Sequence, residues 1–296
     1  MPASSIREFA DNTVNPDVRG FLHLPASANG SGLVLTHGAG SNARAPLLIA
    51  LAEAFSTAGF TVLRCDLPYR QARSFGPPGP GDAVRDRAGL KNAIAAIKKT
   101  LGAPPNAPFV GWEKNEAAPP NALFVGPALS ARREPNGWEG KIFLAGHSYG
   151  GRQSSILCSE EPELVAGLLL LSYPLHPPRK PEQPRTQHLP NLRTPTFFVH
   201  GTRDPFGSIT EIEHALKMIP ARTKLLPVEG AGHDLGFKGK SRQDELPREI
   251  QSEFERFFPE CRGRAALQGH VKAPSKERGF SPCGIWSSRN TPPADE

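Results

Sequence analysis

The run Lys141-Ile142-Phe143-Leu144-Ala145 leads directly into Gly146-His147-Ser148-Tyr149-Gly150. A strand that ends in G-x-S-x-G and turns at once into a helix forms a nucleophile elbow, and this junction constrains the chain more than any other segment. The turn forces the serine backbone into a strained conformation, and only residues without a Cβ fit beside the returning helix. Gly146 and Gly150 meet that demand. Ser148 is then presented at the C-terminal edge of a sheet, over a helix N-terminus that favours negative charge. A helix N-cap serine is the bland alternative, but the glycines on both sides favour the elbow.

The flanking pattern agrees with such a junction. Strand-like segments fall near 20–24, 32–36, 61–66, 141–145, 167–172, 196–200 and 224–228. Helical periodicity occupies 46–58, 82–101, 149–160, 208–219 and 243–258. Strands that alternate with helices predict an α/β fold, a mostly parallel sheet covered on both faces.

A serine hydroxyl needs a base and a carboxylate to orient that base. After Ser148, the run Thr196-Phe197-Phe198-Val199-His200 leads into Gly201-Thr202-Arg203-Asp204-Pro205, which places Asp204 in a strand-end loop. Thr223-Lys224-Leu225-Leu226-Pro227-Val228 leads into Gly230-Ala231-Gly232-His233, which places His233 in a glycine-lined loop. Open α/β sheets build their sites at such strand ends. Asp204 also fits an ordinary Asp-Pro turn. Asp234 is a rival acid, but its position next to His233 gives it poor access to the imidazole Nδ1. His37, His147, His176, His188, His200, His214 and His270 are weaker candidates for the base. The strand 32–36 leads into His37-Gly38-Ala39-Gly40. This turn and the N–H of Tyr149 are the candidate oxyanion hole, with one donor at Gly38-Ala39; an ordinary β-to-α turn is the alternative.

These residues, in this order, make the chain resemble the α/β-hydrolases over 20–258, apart from an insertion. A closer resemblance is to a small lidless branch. That branch includes testis-expressed hydrolase-like proteins and the α/β-hydrolase-like subunit of the non-specific-lethal histone acetyltransferase complex. It rests on Gly146-His147-Ser148-Tyr149-Gly150-Gly151-Arg152, on Leu171-Ser172-Tyr173-Pro174-Leu175-His176-Pro177-Pro178 and on His200-Gly201-Thr202-Arg203-Asp204-Pro205-Phe206-Gly207. Dienelactone hydrolases look more distant, since they carry cysteine where this chain has Ser148. The resemblance implies a serine hydrolase acting on an ester, thioester or lactone. Ser148 is its nucleophile, His233 its base and Asp204 the acid. Arg152 and Tyr173 are candidates for contacting substrate. The only room for a lid is the proline-rich 173–194 segment, too short for a full cap domain. Peptidase or acyltransferase chemistry on the same triad, or a mainly scaffolding role, are the rival readings.

Residues 1–259 are expected to form the α/β-hydrolase domain. Within it, 102–140 is a Pro-rich surface insertion with a short duplication: Ala103-Pro104-Pro105-Asn106-Ala107 returns as Ala118-Pro119-Pro120-Asn121-Ala122. Residues 260–296, rich in Pro, Ser, Lys and Arg, are expected to be a disordered tail; either segment is a possible docking site for a protein partner. The net charge of +6 and pI of about 9.3 come without a basic run, which argues against nucleic acid as partner. Arg70, Arg73, Arg152, Arg179, Lys180, Arg203 and Lys238 fall in loops around the expected mouth. Solvated surface charge explains them most simply, and an anionic group on the substrate is the other account. Cys65, Cys158, Cys261 and Cys283 lack metal-ligand spacing, so no metal or other cofactor is implied. Free thiols and an N-terminus without an apolar signal core suggest a cytoplasmic protein acting on a small molecule. No apolar run approaches the length needed to span a membrane.

Overall fold

The computed structural model describes residues 4–102, 140–237 and 243–261. Most of the expected insertion, the tail beyond Cys261 and Lys238 lie outside the described residues. Strands β1 (Ser5–Asp11), β2 (Val18–Leu24), β3 (Gly32–Thr36), β4 (Thr61–Cys65), β5 (Ile142–His147), β6 (Gly167–Leu171), β7 (Thr196–Gly201) and β8 (Thr223–Val228) are interleaved with helices. The helices are α1 (Pro46–Thr57), α2 (Pro68–Ala72), α3 (Asp82–Gly102), α4 (Tyr149–Glu160), α5 (Ile209–Leu216) and α6 (Leu246–Phe257).

Among the described residues, the eight strands form one sheet in the order β1-β2-β4-β3-β5-β6-β7-β8. The strands from β4 to β8 run parallel, while β2 pairs antiparallel with β1 and β4. The register matters for function. Thr36 lies opposite Gly146, His147 opposite Leu171, and Gly201 opposite Val228. The loops that follow β3, β5, β7 and β8 therefore leave the sheet along one edge.

The central strands are buried on both faces, as a doubly covered parallel sheet requires. Alternate residues divide between two cores. Val34, Leu63, Leu144, Leu168 and Leu170 pack with Ile94 and Ile97 of α3, Leu157 of α4 and Ile212 of α5. Leu33, Leu35, Phe143, Ala145 and Phe197 pack with Leu51 and Phe55 of α1 and with Ile250 and Phe254 of α6. Phe143 meets Phe254 edge-on at 5.0 Å between ring centroids, and Phe254 meets Phe55 in the same way at 5.1 Å.

The expected strands and helices are present, with three differences. β1 was not expected: it is an outer strand whose side chains are mostly exposed, with Phe9 and Asp11 the buried ones, so it lacks a sustained apolar face. The five-residue α2 was too short to show a period. The chain also stays packed past the expected start of the tail. Cys261 is buried, and its carbonyl accepts from Ser31 Oγ at 3.0 Å. Cys65 and Cys158 are buried free thiols, as their apolar settings suggested, and burial pushes both up to about 12.

Candidate active site

The elbow is built by backbone contact. A Cβ on Gly146 would lie 2.4 Å from the Gly151 nitrogen, and one on Gly150 2.5 Å from the His37 carbonyl oxygen. Gly151 has the same problem, 2.6 Å from the Gly146 oxygen. The first turn of α4 can therefore lie against the end of β5 and the loop after β3 only because these positions are glycine. Ser148 itself takes φ 51°, ψ −116°. Such a backbone costs about 1–3 kcal/mol and persists where its surroundings enforce it. Here its N–H donates to Leu171 O at 2.8 Å, and its carbonyl accepts from Arg152 N at 2.9 Å.

The structure brings Ser148, His233 and Asp204 together. Ser148 Oγ is 2.8 Å from His233 Nε2, and His233 Nδ1 is 2.8 Å from Asp204 Oδ2 and 3.1 Å from Oδ1. The Asp204 side chain is fully buried, and its Oδ1 also accepts from Phe206 N at 2.9 Å. Phe206 lies over the imidazole, with 4.1 Å between ring centroids. The carboxylate can only accept, so it fixes the imidazole proton on Nδ1 and leaves Nε2 as the acceptor for the serine hydroxyl. His147 joins this assembly from the other side: its Nε2 is 2.8 Å from the carbonyl oxygen of His233. Burial, followed by the neighbouring His233, lowers His147 to about 4, so it is neutral at ordinary pH and donates this proton to the carbonyl.

Gly38 and Ala39 lie beside the serine. A Cβ on Gly38 would be 2.9 Å from His147 Nδ1 and 3.2 Å from Ser148 Cβ. Tyr149 is the first residue of α4, a position whose N–H has no partner within the helix. A set of buried polar groups fixes this corner. His37 Nε2 accepts from Leu67 N at 3.1 Å, so its Nδ1 carries the proton and donates to Gly38 O at 2.9 Å. Tyr69 Oη lies 2.8 Å from Ala39 O and 3.1 Å from Gly38 O. Arg70 donates to Ala39 O at 3.0 Å and to Ser41 O at 2.8 Å. Asp86, wholly buried, accepts from Tyr149 Oη at 2.7 Å and from Tyr69 N at 3.0 Å. Burial raises Asp86, and burial together with the Asp86 carboxyl holds the Tyr149 phenol far above its usual range. His37 was readable, since it directly precedes Gly38; Tyr69, Arg70 and Asp86 join the turn across 17 to 63 residues.

A pocket of about 950 Å³ opens onto Ser148 and His233. Leu47, Leu48, Pro77, Pro174, Phe206 and Phe237 give it apolar walls, and Arg152 and Arg185 stand among its polar groups. Arg152 is where the sequence suggested. Tyr173 is not on the wall. Ser172, at φ 48°, turns the chain, and Tyr173 is buried against Phe198 at 5.9 Å between ring centroids. Its hydroxyl donates to Arg185 O at 3.0 Å, so it supports the wall instead of touching a ligand. Of the other cations placed near the mouth, Arg70 is taken up by loop carbonyls and Arg73 pairs with Asp82. Arg179, Lys180 and Arg203 are exposed and do not line the pocket. Among the described residues, no group of three His, Cys, Asp or Glu is arranged to hold a metal ion, and no helix is long and apolar enough to cross a membrane.

The sheet order, the elbow after β5 and the loops carrying Asp204 and His233 together define an α/β-hydrolase fold. A sequence-family model described as an alpha/beta hydrolase domain matches residues 119–257. Among solved structures, the dienelactone hydrolase from Anabaena variabilis superposes with a TM-score of 0.58 at 19% identity, covering 86% of this chain and 98% of that one. An alpha-beta serine hydrolase homologue from Coxiella burnetii gives a TM-score of 0.58 at 15% identity, over 83% and 96%. The esterase domain of a Rhodothermus marinus protein gives 0.53 at 14%, over 86% and 98%. At these identities the likeness is one of fold.

Proposed function

We propose that this protein is a serine hydrolase that cleaves a carboxylic ester, thioester or lactone through an acyl-enzyme on Ser148. The observation that carries the reading is the unbroken line of hydrogen bonds from Ser148 Oγ through His233 to buried Asp204, with Ser148 and His233 on the pocket wall. Ser148 Oγ attacks the carbonyl carbon as its proton passes to His233 Nε2. Asp204 stays ionised and stabilises the imidazolium. The carbonyl electrons move onto oxygen, which receives the N–H groups of Tyr149 and of the Gly38-Ala39 turn. When the tetrahedral centre collapses, the leaving group departs with the proton from Nε2. Water then repeats the sequence on the acyl-enzyme and releases the acid.

Residues 1–259 form the hydrolase unit in this reading, close in kind to the lidless branch named above, and among the described residues no cap domain covers the pocket. The test is labelling of the purified protein by a fluorophosphonate, alongside Ser148→Ala. Labelling of the wild type that disappears in the variant is expected. A folded wild type that neither labels nor hydrolyses short 4-nitrophenyl esters overturns the proposal.

A further inference from the structure

Two guanidinium groups stand in the candidate pocket without a counter-charge among the described residues. Arg152 follows Ser148 by one turn of α4, and Arg185 comes from the proline-rich segment after β6; both line the pocket that Ser148 opens into. Neither side chain makes an ion pair or hydrogen bond with another described residue, and Arg152 Nε is shut from solvent with no acceptor. The nearby carboxylates are already engaged. Asp204 holds His233 and the Phe206 N–H, and Asp234, also on the wall, accepts from Gly236 N at 3.2 Å.

Both arginines are held in place from behind. Ser155 Oγ donates to Arg152 O at 2.9 Å, and Tyr173 Oη donates to Arg185 O at 3.0 Å. With both hydroxyl protons committed to carbonyls, His188 Nε2–H donates to Ser155 Oγ at 2.8 Å and, at 3.4 Å, faces Tyr173 Oη. This half-buried chain links the two arginine backbones. The two positive charges also act on each other: after burial, Arg152 is the next cause lowering Arg185. Like charges that a protein fixes together in a half-buried wall fit a missing anion. A guanidinium fork suits an oxygen acid because its N–H groups match two oxygens at once.

We propose that Arg152 and Arg185 form an oxyanion-group subsite, so that the substrate carries a carboxylate or phosphate in addition to its scissile ester. The inference rests on the hydrolase reading for its place in a reaction, and its binding test stands apart from catalysis. The full-length protein is titrated calorimetrically with succinate and, separately, with inorganic phosphate, beside Arg152→Gln, Arg185→Gln and the double variant. At least one anion is expected to bind the wild type, with affinity reduced about fivefold or more by each single change and abolished by the double change. The anion that binds identifies the group. Arg185, which is only partly buried, provides the variant least able to disturb folding. Failure of both anions to bind, or binding that both variants leave unaltered, overturns the subsite.

Catalysis supplies a second arm, the ratio of kcat/KM for 4-nitrophenyl hemisuccinate to that for 4-nitrophenyl pentanoate. The ratio is expected to exceed one in the wild type and to fall in both variants, chiefly through KM. Hydrolysis of the neutral ester with no anion binding overturns the subsite alone. Arginine-dependent anion binding without hydrolysis of any ester overturns the hydrolase reading and leaves the subsite standing.

Discussion

Replacing Gly38 by alanine tests the proposed oxyanion corner directly. The added methyl would lie 2.9 Å from His147 Nδ1 and 3.2 Å from Ser148 Cβ. Carbon–carbon contacts are comfortable at about 3.5–4.0 Å, so the loop and the elbow must separate by roughly half an ångström. The elbow has little room to yield, because the backbone packs so closely there that a Cβ on Gly146, Gly150 or Gly151 would lie 2.4–2.6 Å from backbone atoms. The His147 ring is held at 2.8 Å to the His233 carbonyl. The 38–40 turn is therefore the part that retreats. Oxyanion donors act within about 2.7–3.1 Å, a window narrower than that retreat. The donor from the turn is lost, which costs about 2.7–4 kcal/mol of the barrier, roughly 10²–10³-fold in kcat. The overpacked corner costs about 1–3 kcal/mol of stability as well. The assay is kcat on 4-nitrophenyl butyrate, with urea denaturation to separate the two effects. A folded Gly38→Ala protein with kcat within threefold of wild type would refute the argument.

Other changes probe other parts of the site. Asp204→Asn keeps the shape but removes the charge that selects the imidazole tautomer, and kcat should fall by about 10³–10⁴-fold with KM nearly constant; a loss under tenfold counts against Asp204 as the orienting acid. Asp86→Leu strips half-buried Tyr149 Oη and buried Tyr69 N of their acceptor and should cost about 1–3 kcal/mol in urea denaturation, with a lower kcat from the loosened corner. His23, His147 and His188 are each lowered to about 4, with burial the largest cause. In the unfolded chain they take up protons below about 6.5, and in the folded protein only near 4. Their stabilising contribution is therefore complete above about pH 6.5 and is lost as the pH falls towards 4; a melting temperature that stays flat across this window contradicts their neutral burial. Tyr173→Phe releases Arg185 O and should weaken anion binding several-fold, about 1 kcal/mol, which titration against the wild type measures.

Much of this architecture could be read from local pattern. Gly32–Thr36 and Tyr149–Glu160 were bounded correctly because their ends carry strong local signals, a continuous apolar run and the glycine turn. Ser148, Asp204 and His233 were findable because each ends a strand with turn chemistry around it. What remained hidden depends on long-range pairing. Asp86 has no local reason to be polar in an otherwise apolar helix face, and its reason appears only when Tyr149 arrives from 63 residues away. Tyr173 was misplaced because periodicity does not show the left-handed turn at Ser172. Arg185 looked like any surface cation in a proline-rich stretch, and its significance lies in a wall shared with Arg152.

The bond from the His147 ring to the His233 carbonyl has a mechanical consequence. His233 sits on a loop beyond β8, the outermost strand on that side of the sheet, while Ser148 begins the helix after a central strand. In the proposed mechanism, a base displaced by about an ångström would no longer accept the serine proton. The residue just before Ser148 reaches across and fastens the backbone of His233. Loop and elbow are thus joined at two points, the Ser148–His233 side-chain contact and the His147–His233 backbone contact.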